Sequence, residues 1–398
     1  MQIIELNETQ FKNYSKIHSK RNYKQTIEYS LFEENNGYEK KYLGLMDDNR
    51  NIIAATLLLE KKLNGKYKYG YCPNGFLIDF FNLSLLNIFT TEIKKYLKQE
   101  NYIYLHLDPL IEYQIFSNKF ILIENNSKII NDLKKFGYQL INNTLKYNLI
   151  LTTNDINKTF INFKRSLKRN IKNSLEQGIT IHKCQANEID NCLNLIKEKD
   201  YYKKMYDIFQ GKSNKVEIYY AKINPKTYVN NYRYLLKKET EVNDLYNRKL
   251  KDFNTKKTNK LINKKMVSDK LIIKYNNEIK KATDLYTNYP DGSIISTCII
   301  IANDQEVTFL TEGYDEKFNT YKSMPILKWE IIKKYINLGY SKFNLGEIKK
   351  LDNNEYTTNQ GFNAKIVENK HEFDLVINDM LYKLNHSINS IIKKSEKK

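Results

Sequence analysis

The sequence predicts an α/β protein of two similar lobes, with a pair of long helices inserted in the second. Three observations carry this. The chain has 398 residues, and at roughly 100–200 residues per domain that length divides into two. Strand and helix signals alternate through both halves, each as strand, hairpin, helix, strand, helix. Between 230 and 286 the alternation stops, in a stretch that has neither Gly nor Pro.

In the first lobe (1–150), Tyr42–Leu45 and Ile52–Leu59 read as paired strands across the turn Asp47–Asn51. Asn64-Gly65 turns into a strand over Tyr67–Tyr71. Leu86, Ile93 and Leu97 give Leu83–Glu100 a helical period. Tyr102–Leu107 is a strand ending at Asp108-Pro109, and Ile129–Phe136 is a helix closed by Gly137. The second lobe (151–229 and 287–377) opens with helices over Ile156–Gln177 and Glu188–Asp207 and a strand over Glu217–Ile223. Within the insert, Leu235, Val242, Leu245, Leu250 and Phe253, then Leu261, Met266, Leu271 and Ile279, predict an antiparallel helical hairpin with its break near Asn254–Asn259. Its apolar stripe is thin, which suits an arm better than a pair packed on the core. Strands follow at Ile294–Ala302 and Thr308–Thr311 across an Asn303-Asp304 turn, then a helix over Ser323–Leu338 and a strand over Lys342–Leu345. Strand signals at Gly361–Val367 and Glu372–Ile377 precede a last helix, Leu381–Ile392. Residues 378–398 are expected to pack back on the first lobe.

A hydrophobic fraction of 41% supports buried cores. The 65 Lys and Arg against 46 Asp and Glu leave a net charge of +19. Such a field favours encounters with polyanions, RNA or an anionic membrane face, although a lysine-rich, A+T-biased coding sequence yields the same balance without a partner. Cys72, Cys184, Cys192 and Cys298 form no C-x-x-C pair and fit no zinc template, so free thiols in a reducing compartment are expected, with no metal site. The polar N-terminus and the short apolar runs predict a cytoplasmic protein with no spanning helix.

Several segments, in order, carry a resemblance. Gly70–Phe80 (GYCPNGFLIDF) is similar to a P-x-G-x-x-x-D segment at Pro73, Gly75 and Asp79. Tyr104–Pro109 (YLHLDP) matches a strand–Asp–Pro, and Lys164–Ile181 a basic helix followed by a strand. Leu327–Ile348 resembles a Q-W-E helix, its glycine and an F/Y-N-x-G strand end. Gln360–Glu368 (QGFNAKIVE) resembles a closing G-F/Y-N/G-A segment. Together these resemble the FemABX family of aminoacyl-tRNA-dependent peptidoglycan bridge aminoacyltransferases, FemA-type with a helical arm. The resemblance implies two tandem GNAT-like acyltransferase domains, an aminoacyl-tRNA donor and a lipid- or UDP-linked muramyl peptide acceptor between them. It implies no cofactor and allows a peripheral contact with the inner face of the membrane. Pro73, Asn74, Gly75 and Asp79 would shape the acceptor groove, and Gly361, Phe362 and Asn363 the second-domain cleft. Three positions depart from the pattern. Asn359 stands where the family often has a lysine that contacts substrate phosphate, Glu33 stands for a first-domain lysine, and an arginine near Tyr201–Phe209 is absent.

The implied chemistry is aminolysis of an activated ester. It needs a deprotonated amine, donors for the oxyanion and close orientation of the reactants. Asp108 either orients the acceptor amine or acts as its base, or it caps the Pro109 turn. Asp79 and Asn74-Gly75 have the same double reading, groove or turn, and Phe362 reads as cleft or core. Lys164, Lys168 and Lys172 fall on one helix face with Arg165 and Arg169 beside them. That pattern suits a phosphate backbone, here tRNA, or a solvated helix face. The sequence has no G-x-S-x-G, no phosphate loop and no H-x-x-x-H. Beside the wall aminoacyltransferase stand two rivals: a GNAT-fold N-acyltransferase with a non-wall amine acceptor, and a non-catalytic tRNA-binding protein.

Overall fold

The computed structural model describes residues 1–142, 147–251, 258–303, 306–348, 359–369 and 371–385. Strands β1 (Gln2–Glu5), β2 (Glu39–Met46), β3 (Ile52–Asn64), β4 (Tyr67–Cys72) and β5 (Tyr102–Leu107) come first. The short β6 (Gln114–Phe116) and β7 (Leu122–Asn125), then β8 (Tyr138–Asn142) and β9 (Tyr147–Thr152), follow. The later strands are β10 (Ile179–Lys183), β11 (Lys215–Ile223), β12 (Ser293–Ala302), β13 (Glu306–Tyr314), β14 (Lys342–Ile348), β15 (Lys365–Glu368) and β16 (Glu372–Val376). The helices are α1 (Glu8–Ile17), α2 (Ile27–Glu34), α3 (Leu83–Gln99), α4 (Lys128–Lys135), α5 (Ile156–Asn162) and α6 (Arg165–Glu176). After them come α7 (Ile189–Leu193), α8 (Lys199–Phe209), α9 (Pro225–Lys251), α10 (Thr258–Asn288) and α11 (Met324–Asn337).

The strands form two mixed sheets, ordered β1-β2-β3-β4-β5-β16-β8 and β10-β11-β12-β13-β14-β9-β15-β6-β7. Each sheet repeats one device. Three antiparallel strands (β2-β3-β4 or β11-β12-β13) lead through a helix (α3 or α11) to a parallel fourth (β5 or β14). Residue membership crosses the expected dividing line at 150. Gln114–Asn125 joins the second sheet, and Glu372–Val376, expected in the second lobe, inserts between β5 and β8 of the first. Sheet membership is decided by which edge a strand can reach to satisfy its backbone groups, which its position along the chain does not reveal.

Helix α3 shows how local sequence serves the core. Asn82 caps it by accepting from the Leu85 N–H, and Leu86, Phe89, Ile93 and Leu97 recur on its buried face. Helix α11 turns Glu330, Lys333 and Lys334 outward on one face and buries most of the rest from Pro325 to Tyr335. Two further expectations change. The helix over Ile156–Gln177 is broken at Phe163 and Lys164, both in extended conformation. There Phe163 packs edge-on against Trp329 and Phe362, and the Lys164 N–H donates to the Gly361 carbonyl at 2.9 Å, so tertiary bonds replace helical ones. The helix over Glu188–Asp207 is split into α7 and α8 because the chain between them lies against β13. A Cβ on Gly313 would stand 2.0 Å from the Leu195 carbonyl oxygen.

The interval 230–286 holds α9 and α10, which run antiparallel. Tyr232 packs on Tyr275, Tyr228 bonds Glu278, and Asn243 donates to Asp269 at 2.8 Å. Tyr228, Val229, Tyr232 and Ala282 belong to the second sheet's core, whereas Val242, Leu245, Met266 and Val267 are exposed. Residues 254–257 of the predicted break, like Asp304 of the predicted turn and the chain after 385, lie outside the described residues, whereas Thr258 and Asn259 begin α10. A short helix at 379–385 turns back on the first sheet, where Tyr382 packs on Tyr104 and donates to Asp374 at 2.8 Å.

Each sheet has its own apolar core, and a third cluster joins them. In it Leu6, Phe11, Phe32, Leu57 and Leu77 from the first half meet Cys192, Met205, Phe209, Ile218 and Ile299 from the second. Phe32 also meets Tyr201 edge-on at 4.9 Å.

Two predictions follow from this packing. Gly313→Ala forces the Leu195 carbonyl away and lowers stability by about 2–3 kcal/mol in urea melts. Glu217 ties α11 to the sheet: it meets Lys183 at 2.6 Å and Tyr335 at 2.8 Å, with Tyr219 and Lys334 alongside. Burial alone would raise its pKa, but these partners outweigh it and hold the carboxyl down to about 2. A depressed folded pKa contributes stability above the ordinary value and loses it as pH falls through the folded one. The stability gap between wild type and Glu217→Gln is therefore full above 4.5 and closes toward about 2, measured by urea melts across that range.

Candidate active site

The ends of the two parallel strand pairs build the candidate site. In the first sheet the chain leaves β4 into Pro73-Asn74-Gly75 and leaves β5 into Asp108. Open α/β sheets bind ligands outside such carboxyl ends. The Asp108 carboxylate accepts the Asn74 N–H at 2.7 Å and the Tyr71 hydroxyl at 3.1 Å, and Lys24 lies 3.9 Å away. Burial first, and then the Asp108 charge, push the Tyr71 phenol well above its ordinary pKa, so it remains a donor. The fully buried Gln25 donates to the Pro73 carbonyl at 2.7 Å and accepts the Leu57 N–H at 2.8 Å. Asn74 is left at φ +50°, a left-handed conformation that Asn tolerates.

This turn forms one wall of a groove of about 270 Å³ between the sheets. Lys20, Asn22, Lys24, Asn74, Leu110 and Glu112 line it from the first half. Asn148, Glu306, Thr308, Phe309, Lys342, Asn344 and Asn369 line it from the second. Lys342 and Glu306 pair across β13 and β14 at 2.9 Å. Burial works against the Lys342 ammonium, but Glu306, with Glu112 further off, outweighs it and raises its pKa. The Lys342 cation therefore stays charged on the groove wall.

In the second sheet β13 and β14 pair only over Glu306–Thr308 and Lys342–Asn344. Beyond that Lys328, 1% exposed, bridges the two strands. Its ammonium lies 2.6 Å from Glu312 of β13, 3.4 Å from the Leu345 carbonyl of β14 and 2.8 Å from the Asn359 side-chain oxygen. It also stands over the Phe309 ring at 5.5 Å. Glu312 lines a second cavity of about 440 Å³, together with Arg169, Asn170, Tyr314, Lys322, Ser323 and Gly361 at the start of α11. One strand thus serves both spaces. Its beginning (Glu306–Leu310) faces the groove and its end (Glu312–Tyr314) the cavity, and Glu306 and Glu312 are roughly 20 Å apart along an extended chain.

Residues 6–390 match the family model described as the FemAB family. The chain belongs to the FemAB family. It is 28% identical over 423 residues to the aminoacyltransferase FemB of Staphylococcus epidermidis, with all of both chains covered. Its fold resembles the crystal structure of FemX at a TM-score of 0.73 and 16% identity, over 96% of this chain and 99% of that one. A tandem GNAT protein from the clavulanic acid biosynthesis pathway shares the architecture at a TM-score of 0.53 and 5% identity, over 95% and 98%. This FemAB-family chain is thus an acyltransferase, of the aminoacyltransferase kind, built on two tandem GNAT-like units. Among the described residues no helix is long and apolar enough to cross a membrane.

The predicted site residues distribute unevenly. Pro73, Asn74 and Gly75 form the groove-side turn, with Gly75 buried beside Gln25 and Thr56. Asp108 stands behind that wall as the group that holds Asn74, and it caps the Asn74 turn rather than the Pro109 turn expected from the sequence. Asp79 is exposed and accepts the Phe81 N–H, a local turn apart from both spaces. Gly361 lines the second cavity, and a Cβ there would lie 2.9 Å from the Leu167 Cβ, so its small size admits α6. Phe362 is fully buried core and Asn363 bonds Asn118, so neither is a cavity wall. The basic helix also divides. Arg169 faces the cavity, whereas Lys164 bonds Gln360, Lys168 bonds the Ile161 carbonyl, Lys172 pairs with Glu176 at 3.8 Å and Arg165 is exposed.

Lys24, Glu306, Glu312, Lys328 and Lys342 escaped the sequence reading. Only Lys328 left a signal: Ile331 and Ile332, three and four residues on, place it on the buried face of its helix. The Asn359 side-chain oxygen thus receives an ammonium from α11. Lys328→Met leaves Glu312 without its partner and costs about 3 kcal/mol in urea melts, and adding Glu312→Leu restores most of it, a coupling read from the double-mutant cycle.

Proposed function

We propose that this enzyme moves an aminoacyl group from a charged tRNA to an amine of a peptidoglycan-precursor stem peptide, and so extends an interpeptide bridge. The observation that carries this reading is the pair of spaces served by β13, in a chain of the FemAB family. On this reading the inter-sheet groove receives the muramyl peptide. Lys20, Lys24 and Lys342 suit its phosphates and carboxylates, and Glu306 and Glu112 suit its amine. The second cavity receives the 3′ end of the donor, with Arg169 and Lys322 toward phosphate and the first turn of α11 nearby.

The acceptor nitrogen attacks the ester carbonyl, a C–N bond forms, and the bond from that carbon to the ribose oxygen breaks. The amine's proton ends on the ribose oxygen. An ester of this kind is already activated, so orientation and proton removal carry the rate. Glu306 and Glu112 hold the acceptor peptide in the groove, and Asp108 acts through the Asn74 turn as a positioning residue.

The test is transfer of radiolabelled amino acids from bulk charged tRNA to muramyl pentapeptide in its UDP-linked and lipid-linked forms. Lys342→Ala is expected to lower kcat/KM for the acceptor about tenfold or more, and Arg169→Ala to raise KM for the donor with kcat nearly kept. Raising salt should weaken donor binding steeply. Transfer only to other amines would move the acceptor outside the wall. Absence of any transfer with tRNA binding retained would favour a binding protein.

A further inference from the structure

The hairpin of β6 and β7 carries a surface that neither the groove nor the cavity uses. Phe120, Ile121, Leu122 and Ile123 follow one another and are 37%, 64%, 48% and 54% exposed. Phe120 sits at φ +63°, a left-handed conformation that bulky residues seldom adopt, and its ring leans on Phe116 at 5.3 Å. Strand β7 is the last of its sheet and pairs there only with β6, so its outer edge is open among the described residues. Edge strands of soluble proteins are normally blunted by charge, proline or brevity, and four adjacent large apolar side chains do the reverse.

Two cations lie beside this tip. Lys119 precedes it in the chain. At its root the Asn118 carbonyl accepts from Gln360 at 3.5 Å, and Gln360 in turn accepts the Lys164 ammonium at 2.5 Å. An apolar tip thus has Lys119 and Lys164 beside it on a chain of net charge +19.

We propose that this hairpin docks the protein on an anionic lipid bilayer, with Ile121, Leu122 and Ile123 entering the headgroup–acyl boundary and Lys119 and Lys164 meeting lipid phosphates. Aliphatic side chains offer RNA neither a stacking face nor a base-reading group. A second copy would bring one strongly basic surface to another. Apolar burial and anionic attraction act together in interfacial binding, and this patch supplies both. The inference is independent of which acceptor the enzyme uses.

The full chain is centrifuged with phosphatidylcholine vesicles with and without phosphatidylglycerol. Binding is expected to the anionic vesicles, weakened by salt. Ile121→Ser/Ile123→Ser should weaken it about tenfold or more while leaving the melting temperature nearly unchanged, since both side chains are already exposed. Lys119→Gln/Lys164→Gln should weaken it less. In Ile121→Trp the emission should shift to the blue on anionic vesicles relative to wild type, whose Trp329 is buried. Equal vesicle binding by the serine variant, no wild-type binding, or a hairpin-dependent dimer or RNA complex in place of vesicle binding would each overturn the proposal.

Discussion

The apolar cluster shared by the two sheets is the constraint on which the site depends. Leu57 and Leu77 of the first half and Ile218 and Ile299 of the second are all essentially excluded from water in one contiguous group. Burial of large aliphatic side chains contributes roughly 1.5–3 kcal/mol each, so a cluster of this size resists hinge opening far better than rim ion pairs could. The groove is therefore the gap left where two rigid bodies meet, and Asn74 faces Glu306 and Lys342 because apolar packing elsewhere holds the sheets in register.

Within that frame, polar groups are used sparingly. Asp108 and Gln25 bond one turn, and Tyr71 donates to Asp108 behind it, so that Asn74 can keep a left-handed backbone at the groove. Lys328 plays the matching part in the second sheet: a buried ammonium bonds both parallel strands past their last paired residues and reaches Glu312 at the cavity wall. Neither group reacts in the proposed transfer. Each fixes a wall against which a reacting group can be oriented, which is what an ester aminolysis requires most.

Much of the fold was legible because it rests on local chemistry. The capped, periodic α3, the glycine-ended helices and the long Gly- and Pro-free interval each announce themselves over a few turns of chain. The failures share a cause. The helix over 156–177 breaks because Phe163 packs on Trp329 and Phe362 and because Gly361 accepts the Lys164 N–H; no residue in that window has low helix propensity enough to say so. Helices α7 and α8 part where Leu195 presses on Gly313, a residue more than a hundred positions away. Phe362 matched a motif and proved to be core, and Asp79 matched one and proved to be a turn, because a motif names positions without naming what they face.

Alone, the sequence determined the alternating α/β order, the duplicated plan, the family resemblance and the basic charge, since these follow from side-chain period, turn chemistry and composition. The tertiary structure decided which strands change sheets, that Asp108 works behind the wall, and that Lys328 brings an ammonium to Asn359. Those outcomes depend on contacts between residues far apart in the chain, whose energies exist only once the shared core has brought them together.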